Sequence, residues 1–303
     1  MRRSMDSPTA ICPNCCTRIR VLLVHLPIVS KFYTDQVLQL LEALSNRRTR
    51  SMMIYNCRQL SQLMSSDRQH DSLHDLLDIA CEVPILLEET DKLTASLNLV
   101  PKQWNPSLFK ASLSVLEKLN RCHQEHRART GRPLYWTMPS GVDNPADEPY
   151  NSKLFPFALQ FDSLETASHV VLGWAIVLQV LCSMIELYQH FFGDSTILAE
   201  FVQSNSEYIT GMEPLLNSKF PTMSSAKEEA DKLARCICQS IEYCHKIEGG
   251  IIGPQMTTYA QWVLKSYFRR FHQERELNWC LNIKNMRGPG FRHGIELMGF
   301  QDQ

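Results

Sequence analysis

The sequence has no basic excess. Lys and Arg total 31 against 32 Asp and Glu, a formal net charge of -1. A domain that grips nucleic acid through its phosphates carries a surplus of cations. The overall balance excludes such a grip by the chain as a whole and leaves only local basic patches. The sequence also lacks a G-x-S-x-G elbow, a Walker-type phosphate loop and an H-E-x-x-H pair, which removes the enzyme classes those motifs define. "GPGFRHG" at 288–294 follows a helical pattern instead of a strand and has the wrong spacing for a dinucleotide loop. No stretch alternates long enough to predict a strand, and no regular repeat occurs. No secretory leader is recognised: "VLLVHLP" at 21–27 begins late and is broken by His25 and Pro27. The eleven cysteines, an odd number, are therefore expected as free thiols in a reducing compartment.

What is present is helical. Hydrophobic residues make up 44% and charged residues 21% of 303, an ordinary globular composition with enough chain for a substantial core. Residues 31–45 form a first amphipathic candidate. Ser72 and Asp75 stand at capping-box spacing before an apolar run that Pro84 interrupts. Pro106 opens a helix predicted to run to about Arg129 and to stop at "TGRP". Residues 130–153, rich in Pro, Gly, Asn and Asp, read as a long loop that packs on the body through Tyr135 and Trp136.

The strongest pattern follows. Asp162 and Glu165 suggest a cap, and Gly193 a stop. Between them Leu164, Ala167, Val171, Trp174, Leu178, Leu181, Ile185, Tyr188 and Phe192 recur at steps of three and four. The run at 170–185 is shorter than the ~20 residues of a membrane span and contains Gln179 and Ser183, so it is expected to be a core helix. Gln179, Ser183, Glu186 and Gln189 are read as its polar face. Residues 225–247 form a further helix with Ala230, Leu233, Ile237, Ile241 and Cys244 inward, and a last long helix carries Ala260, Leu264, Phe268 and Phe271. The expected fold is all-α: a poorly ordered segment at 1–30 and a single multi-helix domain with long loops at 31–303.

Five clusters invite a functional reading. Cys12 and Cys15 in "ICPNCCTRIR" have the spacing of half a zinc site, followed by Arg18 and Arg20, but no further ligands come at a suitable distance after Cys16. His70, Asp71, His74, Asp75 and Asp78 fall on or near one helical face, as a metal-carboxylate site would require; a solvated helix start opposite Leu73, Leu76 and Leu77 is the simpler expectation. Cys122, His123 and His126 lie among Arg121, Arg127 and Arg129, which would repel a cation, and read as a basic helix end. Cys238, Glu242 and His245 share a face by spacing. Arg269, Arg270, His272 and Arg275 interleave with Tyr267, Phe268 and Phe271, a pattern seen in nucleic-acid binders but also in an amphipathic helix with aromatics inward and arginines outward. No catalytic, cofactor-binding or metal-ligating residue is assigned, and no cofactor is expected.

Three stretches together carry a resemblance. "LLDIACEVPILLEETDKL" (76–93), "LFPFALQFDSLETASHVVLGWAIVLQVLCSMIELYQ" (154–189) and "GIIGPQMTTYAQWVLKSYFRRFHQERELNWCLNIKNMRGPGFRHG" (250–294) resemble, in order and spacing, the C-terminal regulatory region of fungal zinc-cluster transcription factors. "ELNWC" followed by "RG" is the most telling part. Members of that family normally carry a six-cysteine DNA-binding cluster ahead of this region, and "ICPNCCTRIR" does not supply it. Either the chain is a variant without that module, or the sequence starts at the wrong place. The resemblance implies a nuclear, non-enzymatic regulator of transcription acting through protein partners, a DNA-binding relative or a second copy of itself. It implies indirect rather than direct DNA contact and no membrane, and kinship points to secondary-metabolite gene clusters. The alternatives are a helical metal-dependent enzyme using the face at 70–78, and a scaffold.

Overall fold

The structure, a computed structural model, describes residues 40–47, 72–95, 106–147, 153–192, 223–250 and 252–291. The N-terminal segment 1–30, with Cys12, Cys15 and Cys16, lies outside the described residues, as do His70 and Asp71.

The fold is all-α. The expected break at Pro84 separates α1 (Ser72–Ala80) from α2 (Val83–Ala95). Proline in the first turn costs no intrahelical hydrogen bond, so it starts α2 instead of kinking one long helix. α3 spans Pro106–Thr130, and Gly131, at a φ of 67°, turns the chain out of it. α4 (Leu164–Phe192) is the central helix, in contact with α1, α2, α3, α5 (Met223–Cys244) and α7 (Thr258–Arg270). A short α6 (Ile252–Met256) precedes α7, and α8 (Glu274–Leu281) follows it. Of the amphipathic candidate at 31–45, the described part, from residue 40, is helical and continues to 46.

Neighbours cover α4 on all sides near its middle. Ala175, Ile176, Leu178, Leu181 and Met184 have no exposed surface, although no single helical stripe contains them all. The helix is longer than the apolar run alone suggests, and it is long and apolar enough to cross a membrane, its most apolar 18-residue stretch having a mean hydropathy of 2.1. In the fold, 83% of that stretch is buried against the rest of the chain, the surroundings of a core helix.

Three local expectations change. The stretch 130–153 is not all loop: β1 (Tyr135–Pro139) pairs antiparallel with β2 (Phe157–Phe161), Tyr135 opposite Phe161 and Pro139 opposite Phe157. Its packing role falls to Tyr135, whose ring meets Trp174 at 5.1 Å, whereas Trp136 faces solvent. The cap of α4 is Ser163 and not Asp162, with the Thr166 N–H donating to Ser163 Oγ at 3.1 Å; Asp162 instead pairs with Arg132 at 3.4 Å. The last long helix ends at Arg270, and Phe271 lies in the turn to α8, where His272 has a φ of 54°.

Candidate functional site

The residues read as the polar face of α4 are buried, which overturns that expectation. Gln179, Ser183 and Glu186 lie inside the body, and only Gln189 is exposed. The helical segment at 40–46 and Arg47 cover them. Arg47 adopts a left-handed backbone (φ 49°), the geometry that ends a helix, and its side chain turns inward. It donates to Glu186 Oε2 at 2.7 Å, to Ser183 Oγ at 3.3 Å and to Asp91 Oδ1 at 2.9 Å. Arg270 pairs with the other oxygen of Glu186 while its side chain stays 39% exposed, and Arg269 and Arg275 are exposed as expected. Gln179 donates to the Leu44 carbonyl at 2.8 Å and accepts from the Tyr259 hydroxyl. Burial raises the Tyr259 phenol well above its ordinary range. The two arginines neutralise the carboxylate of Glu186, and the network ties four segments together.

The other clusters are separated or re-used. Asp75 pairs with Arg129 at 3.2 Å, and His74 lies 4.0 Å from Asp78. Cys238, Glu242 and His245 each serve a different contact. Cys238 Sγ lies 4.0 Å from Cys280 Sγ, and Glu242 accepts from Ser140 Oγ at 2.7 Å and from the Gly141 N–H at 3.1 Å. His245 Nε2 is 3.2 Å from Thr257 Oγ1. Among the described residues no group of three or more His, Cys, Asp or Glu is placed to hold a metal ion. Burial raises the thiols: Cys182 and Cys244 to about 12 and Cys122 to about 11, which keeps them protonated and poorly nucleophilic.

The basic helix end at 121–129 is also more buried than expected. Cys122 and His126 face inward, and the His126 ring stacks on His169 of α4 with centroids 4.1 Å apart. Burial first, then the neighbouring His126 and His123, lowers the His169 imidazole to about 3. The same causes apply to His123, where burial, then His126 and Arg127, lower the imidazole. The unfolded chain takes up this proton near the ordinary histidine value and the folded chain does not. The stability is therefore fully present above about pH 6.5 and is lost as pH falls from there toward the folded value. Between about pH 7.5 and about pH 5 the loss from His169 is about 2 kcal/mol. Urea unfolding at the two pH values measures it, and His169→Phe is expected to remove at least half of the difference.

Apolar side chains are exposed on both faces of the hairpin, Trp136 and Met138 on one and Phe157 on the other. Trp136 and Met138 on β1 and Phe157 on β2 are 44%, 49% and 51% exposed. β2 is held from beneath, with Phe161 against Tyr243 of α5 at 5.2 Å, while β1 is an edge strand. An exposed Trp and Met side by side on a rigid support mark a contact face for a partner more often than a catalytic one. The sequence contains this signal as "YWTMP", but the strand is too short and too irregular to reveal an exposed edge.

No family model, no curated protein and no solved structure matches the chain.

Proposed function

We propose that this chain is a non-enzymatic regulator of transcription that acts through protein contacts in the nucleus, in the manner of the regulatory region of fungal zinc-cluster factors. The observation that supports this reading most is the packing of the three stretches that carry the resemblance. They supply α2, β2 with α4, and α6 to α8, and these close on a single core in which Leu87, Leu181 and Leu264 are fully buried. Stretches matched in order and spacing that also share one core support kinship of the whole body more strongly than isolated motif matches would. The regulated genes would then include a secondary-metabolite cluster.

Transcript abundance across the genome, with and without the gene, tests the reading. The expected result is a coherent block of altered transcripts, especially of neighbouring genes. Unchanged transcripts with a changed metabolite would replace it by an enzyme, and sequence-specific DNA binding by the purified chain would overturn action through partners alone. The exposed hairpin favours a second reading, an assembly module with no regulatory output; unchanged transcripts and unchanged metabolites are its expected signature.

A further inference from the structure

We infer that the free edge of β1 is a self-association surface, where a second copy of this chain adds its own β1 antiparallel about a two-fold axis through Thr137. The inference rests on the hairpin being the contact face of the proposed function. The hydrogen-bond register sets which groups are available. The Ser140 N–H donates to the Pro156 carbonyl at 2.9 Å. Bonding and non-bonding pairs alternate along an antiparallel ladder, so Trp136 and Met138 bond to β2, while the N–H and C=O groups of Tyr135 and Thr137 and the C=O of Pro139 point away from it. Among the described residues no backbone group bonds to this outer side of 135–139. Beyond Gly141 the backbone of Arg287 pairs with Asp143, at 2.7 and 2.9 Å, and closes the edge. The opening is five residues long.

A strand with this pattern complements itself. With the axis at Thr137, each Thr137 N–H donates to the second copy's Thr137 carbonyl, and each Tyr135 N–H to the second copy's Pro139 carbonyl. Both outward donors of the strand are used, and Pro139 stands where no donor is needed. Trp136 then lies directly across from the second copy's Met138, in the close, non-bonded type of pair where side chains approach most nearly. Sulfur against an indole edge is a favourable contact.

Charge selects the same arrangement. β1 itself carries no charged side chain, unlike edges that are protected from pairing by lysines. Past its two ends stand Arg132 and Asp143, whose side chains are 71% and 81% exposed while they pair within their own chain with Asp162 and Lys153. Antiparallel addition brings the Arg132 end of one copy toward the Asp143 end of the other, and parallel addition would set like against like. The result is a four-stranded sheet, β2–β1–β1–β2, across two copies.

Sedimentation of the full chain from about 1 to about 200 μM tests this, since a small interface gives an affinity on the order of micromolar. The expected result is a concentration-dependent rise toward twice the 34.9 kDa chain mass. Thr137→Glu and Thr137→Lys are each expected to raise the Kd roughly tenfold or more, because the axis sets like charges face to face, and an equimolar mixture of the two is expected to restore the dimer. Thr137 is exposed, so far-UV circular dichroism and melting should match the parent chain. A monomer over the whole range overturns the inference and leaves the regulatory reading to the transcript comparison. A dimer indifferent to both substitutions, or one that the mixture does not restore, also overturns it and places the interface elsewhere.

Discussion

Replacing Gly253 by alanine is expected to destabilise the chain by about 3 kcal/mol or more. A Cβ built at this position would lie 1.8 Å from the Cys244 carbonyl oxygen and 2.9 Å from its carbon. The obstacle is backbone at the end of α5, so no side-chain rotation can relieve the overlap. Gly253 is also buried between two segments that cannot separate easily. The Thr257 hydroxyl donates to the Pro254 carbonyl at 2.8 Å and lies 3.2 Å from His245 Nε2, holding the start of α7 against the end of α5. Gly131→Ala is the control. Its φ of 67° strains any side chain, but nothing lies within 4 Å of the added carbon, so a loss of only about 1 kcal/mol is expected. Urea unfolding of both variants measures the contrast. A Gly253→Ala loss no larger than that of Gly131→Ala would mean that the α5–α6 contact opens at little cost.

Glu186→Ala is expected to cost about 3–5 kcal/mol, the range seen when one partner of a buried ion pair is removed. The Glu186 side chain is 8% exposed and accepts from two arginines, of which Arg47 is 18% exposed. Removing the carboxylate leaves Arg47 partly desolvated beside Ser183, with Asp91 as its remaining partner among the described residues, while Arg270, 39% exposed, turns to water. Exposed pairs such as Lys232 with Glu228 are worth far less, because water solvates both ends and salt screens them. The double substitution Arg47→Met with Glu186→Leu is expected to recover much of the loss, since an apolar pair of similar size needs no charge compensation and Arg270, the other partner of Glu186, is 39% exposed and reaches water. Guanidinium unfolding of the single and double variants tests this cycle. Additive losses would mean that the two residues are not coupled.

The body of the fold was legible because its helices carry strong periodicity and clear punctuation. Pro84, Pro106, the "TGRP" turn and the glycines after α5 mark boundaries that the structure places within a few residues of expectation. The inward residues of α5 were also legible: Ala230, Ile237, Ile241 and Cys244 are all buried. The polar residues of α4 were not. Spacing puts Gln179, Ser183 and Glu186 together whether they face water or a partner. The partner, Arg47, lies more than a hundred residues away in sequence, a pairing that local periodicity does not encode. His126 was misread for a related reason. The arginines around it suggest an exposed helix end, but its own side chain lies on the opposite side of the turn, against His169. The hairpin was missed because each strand is five residues long and β2, "FALQF", shows no alternation, being buried along all but its first position. The candidate interaction site therefore depends on a pairing register that only the fold reveals.

The burial of α4 bears on how the chain is made. α4 ends at Phe192, and α5, which covers much of it, begins only at Met223. During synthesis a helix with an 18-residue stretch of mean hydropathy 2.1 leaves the ribosome well before α5 and α7 exist to cover it. Domains are completed from the N-terminus as the chain grows, so the nascent protein passes through an interval in which its most apolar helix is accessible to chaperones and to the machinery that sorts apolar segments to membranes. A chain interrupted before Met223 stays in that interval, with the α5 and α7 sides of α4 uncovered.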